Sequence, residues 1–463
     1  MIDFSNITGI YFVGIGGIGM SALALYFSGE GYNTAGYDRS RTLITDTLEA
    51  AGCRISYDDD IYNIPLLYKD IKNRSGVIIV YTPAITYENN ILSYFRDNYY
   101  RIYKRSEVLG ELSSKTDTIA IAGTHGKTTV STMTAHLLKQ SHVDCSAFLG
   151  GISKNYNTNM LKGESRYTVM EADEYDRSFH KLDPLIAVIT ALDADHLEIY
   201  GDLATMISAY NEFCNKIRNK GSLFCNYRVK DYLNFPAYVN FFTYGKDPDA
   251  DFSYSGIEHS GDFYKFDLKT PEGILHDLQF PFPGIVNIEN LTAAVSVAMM
   301  CGVSEAELRK GIILFKGVKR RFDIRINLPG LAYVDDYAHH PEEIKACITS
   351  LREYFSGRKI TAIFQPHLYT RTRDHAAGFA EILDHLDEVI LLPVYAAREK
   401  PIPGVSSEMI FKKMKLKNKR ILDKDDIPAR LQTDSIDVLV TIGAGDIDTL
   451  VEPIERKLKE KAA

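Results

Sequence analysis

A chain of 463 residues is longer than one ordinary core can organise and suits about three domains of roughly 150 residues each. Hydrophobic residues at 45% and charged residues at 25% match a soluble globular protein, and a net charge of −8 argues against a general nucleic-acid binder, which needs a basic face. The six cysteines are scattered without a Cys-x-x-Cys pair, which argues against a zinc ribbon and a disulfide framework. The start Met1-Ile2-Asp3-Phe4-Ser5-Asn6 lacks the basic and apolar regions of a signal peptide. No run reaches the ~18 apolar residues of a spanning helix. The expectation is a cytoplasmic protein without nucleic-acid or membrane partners.

The first element is a strand, Gly9 to Val13, followed by Gly14-Ile15-Gly16-Gly17-Ile18-Gly19 and a helical pattern from Met20 to Phe27. A second short strand, Asn33 to Tyr37, ends at Asp38. By rule G-x-G-x-x-G with such an acid is a dinucleotide site. Physically it says that a diphosphate can rest on the backbone at Gly14, Gly16, Gly17 and Gly19 and on a helix N-terminus, and UDP carries a diphosphate as NAD does.

The polar stretch Glu111 to Asp117 reads as a linker. After it comes the strand Thr118 to Ala122, then Gly123-Thr124-His125-Gly126-Lys127-Thr128-Thr129, then a helix to Lys139. Here glycines let N–H groups approach phosphates, Lys127 brings a cation to the β- and γ-phosphates of ATP, and Thr128 offers a hydroxyl to Mg²⁺. The full G-x-x-x-x-G-K-[ST] pattern wants glycine where Ile121 stands, so the loop is a shortened variant.

The strand Tyr167 to Met170 runs into Glu171-Ala172-Asp173-Glu174-Tyr175-Asp176, four carboxylates in six residues, which repel unless a cation lies among them. A Mg²⁺ held for ATP is the expected cation. The strand Leu185 to Thr190 runs into Asp193-Ala194-Asp195-His196, and His196 is read as bound to the metal or to its water. Alternation between about 237 and 282 predicts a small antiparallel insert. Lys319, Arg320 and Arg321 read either as a pocket for one anion or as solvated surface. A second linker is expected from Asp323 to Pro329, before the strand Leu331 to Val334. The last strand, Val438 to Ile442, leads into Gly443-Ala444-Gly445-Asp446.

Three strand–glycine turn–helix starts predict an α/β protein of three domains. These are a Rossmann-like N-terminal domain over 1–113, a central phosphate-loop ATPase-type domain over 114–325, and a C-terminal Rossmann-like domain over 326–463.

In this order the segments Phe12 to Ser21, Gly123 to Thr129, Glu171 to Glu174, Asn287-Ile288-Glu289-Asn290, Lys319 to Phe322, Asp335-Asp336-Tyr337-Ala338-His339-His340-Pro341 and Phe364-Gln365-Pro366-His367 resemble the Mur ligase family, across about Gly9 to Gly445. The resemblance implies domains for a UDP-sugar, for ATP and for an amino acid. It implies an ATP- and Mg²⁺-dependent ligase of peptidoglycan precursor synthesis whose substrates are UDP-N-acetylmuramate, L-alanine and ATP, acting through an acyl phosphate. It makes Lys127 the γ-phosphate lysine, Thr128 and Glu171 ligands of one Mg²⁺, and His196 a ligand of a second. Asn287, Asn290, Arg321 and Asp336 become the adenosine contacts, and Tyr337, His339, His367 and Arg371 the group around alanine and the intermediate. The proton of the attacking amine goes to His196 or His339, and the sequence does not choose. One departure stands out: the family pattern has arginine after the histidine of Gln-Pro-His, where this chain has Leu368, leaving Arg371 or Arg373 to supply that cation. Some family members carry a carbamylated lysine near the metal, and the stretch after His196 offers none. Other readings stay open: an NAD-dependent oxidoreductase resting on Gly14 to Gly19 and Asp38, a nucleotide-switched binding protein, and a recycling ligase that adds a preformed peptide to the same sugar nucleotide.

Overall fold

A computed structural model describes residues 2–193, 197–260, 263–397 and 399–462. Among these residues three sheets form. The first holds β1 (Gly9–Val13), β2 (Asn33–Tyr37), β3 (Arg54–Ser56), β4 (Val77–Tyr81) and β5 (Arg101–Lys104), all parallel, in the order β3-β2-β1-β4-β5. Every residue of β1 is buried, as expected of a parallel strand covered on both faces. The chain order reverses between β1 and β4, and the glycines after β1 stand at this switch point, where open α/β sheets bind ligands.

The second sheet comprises β6 (Asp117–Ala122), β7 (Ser146–Ser153), β8 (Thr158–Leu161), β9 (Tyr167–Glu171), β10 (Ile186–Ile189), β11 (Ser222–Asn226), β12 (Asn240–Gly245), β13 (Phe252–Ser260), β14 (Phe263–Thr270) and β15 (Gly273–Phe280). Its order is β15-β14-β13-β12-β11-β10-β6-β9-β7-β8. Strand β6 lies between β10 and β9, so the phosphate loop and both acidic strand ends leave neighbouring strands. The antiparallel alternation expected between 237 and 282 is present in β13 to β15, with Tyr264, Phe266 and Leu268 buried along β14. These strands continue the edge of the central sheet instead of forming a separate insert, because β12 and β13 pair in parallel.

Both sheets belong to one compact unit, Met1–Pro281 with Glu289–Lys316. They share one apolar cluster that includes Phe12 and Phe27 from the first sheet's layer and Phe148, Phe179 and Phe213 from the second's. The rings of Tyr26 and Phe148 lie 5.4 Å apart across it. The linker expected from Glu111 to Asp117 is corrected here. The helix Arg105–Ser114 runs through it and β6 begins at Asp117. Its serines are polar without being loop residues, since Ser113 and Ser114 donate their hydroxyls to the carbonyls of Gly110 and Glu111 at 2.6 and 2.8 Å.

The other unit, Phe282–Ile288 with Gly317–Ala463, holds β16 (Asp323–Leu328), β17 (Leu331–Asp336), β18 (Ile360–Phe364), β19 (Glu388–Leu391), β20 (Lys419–Ile421) and β21 (Val438–Ile442). The order is β16-β17-β21-β18-β19-β20, with β16 antiparallel at the edge. The second expected linker, Asp323 to Pro329, is therefore a strand, turned back at Gly330 with φ +75°.

Phe27, 1% exposed in the shared cluster, is the test of that core. Phe27→Ala is expected to lower the unfolding free energy of the first unit by about 3–5 kcal/mol in urea denaturation. A change under about 0.5 kcal/mol, the size of a surface effect, would mean that the two sheets do not depend on it.

Candidate active site

Strand β6 ends at Ala122, and the chain turns through Gly123 (φ +129°) and Gly126 (φ +84°) into the helix Lys127–Lys139. A Cβ on Gly123 would lie 2.1 Å from Thr190 Oγ1 and 2.7 Å from its backbone nitrogen, so only glycine fits. Thr190 in turn ties the loop to the end of β10: its hydroxyl donates to the carbonyls of Ala122, at 3.2 Å, and of His125. Thr124 N–H donates to Ala191 O at 3.0 Å, and Thr124 Oγ1 accepts from Asp193 N–H at 3.0 Å. His125 stands 3.6 Å from Asp193. The Asn290 amide closes the other side, with its oxygen 2.8 Å from where a Gly126 Cβ would sit. A loop fixed this way turns backbone N–H groups and a helix N-terminus toward one point, which is an anion site.

The crowded carboxylates after β9 are neutralised differently from the expectation. Glu174, 1% exposed, accepts from Lys127 Nζ at 2.7 Å, while the same ammonium donates to Gly123 O at 2.7 Å. Asp173 receives Arg105 Nη2 at 3.1 Å, and Asp176 receives Lys104 Nζ at 2.9 Å. Protein cations therefore meet three of the four acids, and a metal is not needed to hold the turn. Burial alone would lower the Lys127 pKa, but the Glu174 and Glu171 carboxylates outweigh it and raise it above the ordinary lysine value. The fourth acid, Glu171, is different: its Oε2 is buried with no hydrogen-bond partner. Both its oxygens lie 2.3 Å from where a Gly150 Cβ would stand, so Gly150 is the seat of this carboxylate. Among the described residues no three His, Cys, Asp or Glu side chains cluster to hold a metal. A divalent ion here would draw on the Glu171 carboxylate, the Thr128 hydroxyl and ligand phosphates, the sparse protein donor set typical of Mg²⁺. His196, expected to hold a second ion, lies outside the described residues.

At the N-terminal loop, Gly14 has φ +87° and Gly17 caps the helix Ile18–Gly29. Asp38 serves the loop itself: its Oδ2 accepts from Gly16 N–H at 2.8 Å, and a Cβ on Gly16 would come within 2.9 Å of it. The acid that in a dinucleotide site would hold a ribose is thus bonded to the glycine turn.

The other unit gathers the remaining candidates. The rings of Tyr337 and His339 lie 5.4 Å apart, His339 and His367 5.9 Å, and His367 and Tyr395 5.8 Å. Tyr395 was not among the sequence candidates. It reaches His367 through a parallel bridge to a segment beyond β19, and nothing local marks it. Arg320 and Arg321 sit over the Tyr337 ring at 5.1 and 5.0 Å, while Lys319 of the same basic triplet is exposed. Burial lowers His339 to about 4, with Glu343 opposing and Arg371 and Arg321 adding to the shift, so it is neutral at pH 7. Its Nδ1 donates to Tyr337 O at 3.0 Å, because a carbonyl can only accept. Of the two arginines considered beside Leu368, Arg373 is half-exposed and bound to Asp374 at 2.7 Å. Arg371 is the one that acts on His339. Asp336 is occupied within the chain, accepting Phe322 N–H at 2.7 Å and Ala338 N–H at 2.8 Å. Asn287, 7% exposed, donates its amide to Pro283 O at 2.6 Å.

A glycine-bounded phosphate loop at a sheet switch point, carrying a lysine and flanked by a partnerless carboxylate, defines an α/β enzyme that uses a nucleoside triphosphate. The comparisons with known proteins narrow the class. Residues 9–116 match the Mur ligase family catalytic domain, 121–298 the Mur ligase middle domain, and 320–445 the Mur ligase glutamate ligase domain. The UDP-N-acetylmuramate–L-alanine ligase of Parabacteroides distasonis is 44% identical over 458 residues, 99% of this chain and 98% of that one. That of Porphyromonas gingivalis is 45% identical over 453 residues, 97% and 99% of the two chains. The crystal structure of the UDP-N-acetylmuramate–alanine ligase from Thermotoga maritima superposes with a TM-score of 0.81 at 26% identity, over 98% of this chain and 99% of that one. A murein peptide ligase from Psychrobacter arcticus shares the fold at a TM-score of 0.72 and 20% identity, over 97% and 98%. The chain belongs to the Mur ligase family. It is an ATP-dependent, amide-bond-forming ligase with the family's three-domain α/β fold.

Two outcomes test this geometry. Gly150→Ala pushes aside the far end of a flexible side chain, so the protein should fold while Glu171 is displaced, raising the Mg²⁺ concentration needed for half-maximal turnover. An unchanged Mg²⁺ requirement would separate Glu171 from the metal. Burial, with Arg321 opposing, raises Asp336 from 3.8 to about 6. A raised acid stabilises the fold fully below pH 3.8, and that stability is lost as pH rises through about 6. In Asp336→Asn the fall in stability between these values should shrink, by at most about 3 kcal/mol. Parallel curves for the two proteins, from denaturant titrations across that range, would show that Asp336 ionises normally.

Proposed function

We propose that this chain joins L-alanine to the lactyl carboxylate of UDP-N-acetylmuramate, with ATP converted to ADP and phosphate, as a step of peptidoglycan precursor synthesis. The observation that carries the reading is 44–45% identity to alanine-adding ligases across 97–99% of this chain. No helix among the described residues is long and apolar enough to cross a membrane, which agrees with nucleotide substrates met in the cytoplasm.

The chemistry is first a problem of charge. The lactyl carboxylate attacks the γ-phosphorus of ATP, and both are anionic. Lys127, held protonated at the loop by neighbouring carboxylates, and the N-terminus of its helix offset that repulsion. One Mg²⁺ held by Thr128 and Glu171, and a second held by His196, would add positive charge at the phosphate oxygens. ADP leaves, giving an acyl phosphate. The amine of alanine then attacks the acyl carbon, and phosphate departs from the tetrahedral intermediate. His339 supports the role of proton acceptor, being neutral with Nδ1 donating to Tyr337 O, which leaves Nε2 to take the proton. Arg371 is assigned the alanine carboxylate, with Tyr337 and His367 around it. The Gly123–Thr129 loop with Asn287, Asn290, Arg321 and Asp336 is assigned ATP. Gly14, Gly16, Gly17, Gly19 and Asp38 form the sugar-nucleotide turn.

The test is phosphate release with ATP and Mg²⁺, adding UDP-N-acetylmuramate and each amino acid separately and together. Release is expected only with all components and fastest with L-alanine. Faster turnover with a preformed tripeptide would move the protein to the recycling branch. Lys127→Ala should reduce the rate by on the order of 10²-fold or more while the protein stays folded. Near-normal turnover of that variant would take the loop out of the chemistry.

A further inference from the structure

We infer that Arg105 binds the diphosphate of the sugar nucleotide at the first turn of the helix Ile18–Gly29. The assignment rests on the proposed function and goes beyond it by naming a side chain. Arg105 opens the helix Arg105–Ser114 directly after β5. Strands β1, β4 and β5 are parallel neighbours, so Arg105 and the Gly14 to Gly19 turn emerge at the same edge of the sheet.

The contact between them is close. A Cβ on Gly19 would lie 2.1 Å from Arg105 Nη1 and 3.0 Å from Cζ, so the guanidinium rests against the backbone of that first turn. Gly19 is glycine because Arg105 lies there. Electrostatically this is a poor place for a lone cation. A helix N-terminus carries partial positive charge and favours anions, and Arg105 also begins its own helix, beside Lys104. Asp173 answers part of the charge at 3.1 Å through Nη2. A guanidinium has five N–H donors, and among the described residues only this hydrogen bond engages Arg105. A cation with donors to spare, set against a glycine turn built for close approach, matches a diphosphate, whose oxygens a planar fork can hold two at a time.

Arg105 also lines a cleft with Ser106, Glu171 and Asp173. It therefore stands between the glycine turn and the carboxylate beside the phosphate loop. A sugar nucleotide gripped at its diphosphate by Arg105 would have its distal end on the Glu171 side. Asp173 is a positioning residue in this arrangement, since it fixes the guanidinium and competes with the ligand for it.

Calorimetric titration of the whole protein with UDP-N-acetylmuramate, UDP and ATP tests this in the wild type, Arg105→Gln and Arg105→Lys. Expected are losses of about tenfold or more for both uridine ligands in Arg105→Gln, a smaller loss in Arg105→Lys, and ATP affinity unchanged. Asp173→Asn should bind UDP more tightly than the wild type. Unaltered uridine affinity in Arg105→Gln overturns the assignment, as does a loss confined to UDP-N-acetylmuramate, which would put the guanidinium on the lactyl carboxylate. An equal loss for ATP also overturns it, as general distortion. Should Arg105→Gln fail to fold, the Arg105→Lys affinities decide by the same criteria. A wild type that binds ATP but no UDP-N-acetylmuramate overturns the proposed function instead.

Discussion

Four carboxylates within six residues cannot occupy the end of one strand unless positive charge stands among them, and where that charge comes from organises the first unit. Lys104 and Arg105 arrive from the end of β5, and Lys127 from the phosphate loop after β6. The layer of the first sheet and the glycine loop after β6 are thereby fastened to the same acidic turn. Such pairs add little net stability. Lys104–Asp176 is partly exposed and screened, and for Lys127–Glu174 the cost of desolvating both charges offsets most of their attraction. What they supply is position. Losing one partner of the buried pair would leave an uncompensated charge, so the lysine is confined to the glycine loop, against Glu174 and the Gly123 carbonyl.

The same constraint explains several glycines. Gly16, Gly19, Gly123 and Gly150 each face a side chain of the protein itself, respectively Asp38, Arg105, Thr190 and Glu171, so close that a Cβ there would displace it. The usual reason for glycine in such loops is room for a ligand's phosphates. Here the room is first taken by groups that hold the loop or wait beside it. The backbone approach that a ligand needs is prepared by packing that is complete within the chain.

How legible this was follows from the range of each interaction. The strands beginning at Gly9, Asn33 and Val438, and the loop from Gly123, were readable because their signal is local: an apolar run, then glycine, then a helical period. The two expected linkers failed for a local reason too, since Ser113, Ser114 and Asp323 are polar but bonded within structure. The cations that meet three of the four acids of the turn were not legible because they lie elsewhere in the chain, Lys104 about 70 residues before Asp176. Tyr395 was invisible for the same reason. Asp38 was singled out at the end of its strand and Asp336 by resemblance, yet sequence could not show that backbone N–H groups, from Gly16 for the one and from Phe322 and Ala338 for the other, already engage them.

The C-terminal unit shows how one strained residue sets its neighbours. Leu368, where the resemblance implied an arginine, is 7% exposed. Its φ of +67° is costly for a branched residue, on the order of 1–3 kcal/mol, and persists only if its surroundings fix it. They do: Leu368 N–H donates to Tyr395 O at 2.9 Å, and its carbonyl accepts from Thr372 Oγ1 at 2.7 Å. Those two bonds set the start of the helix Tyr369–Leu383, and with it the place of Arg371 in the first turn. Burial disfavours a charged imidazole at His339, and Arg371 and Arg321 add to it against the opposing Glu343. A strained apolar residue thus aims a neighbouring arginine, and the histidine beside it stays neutral.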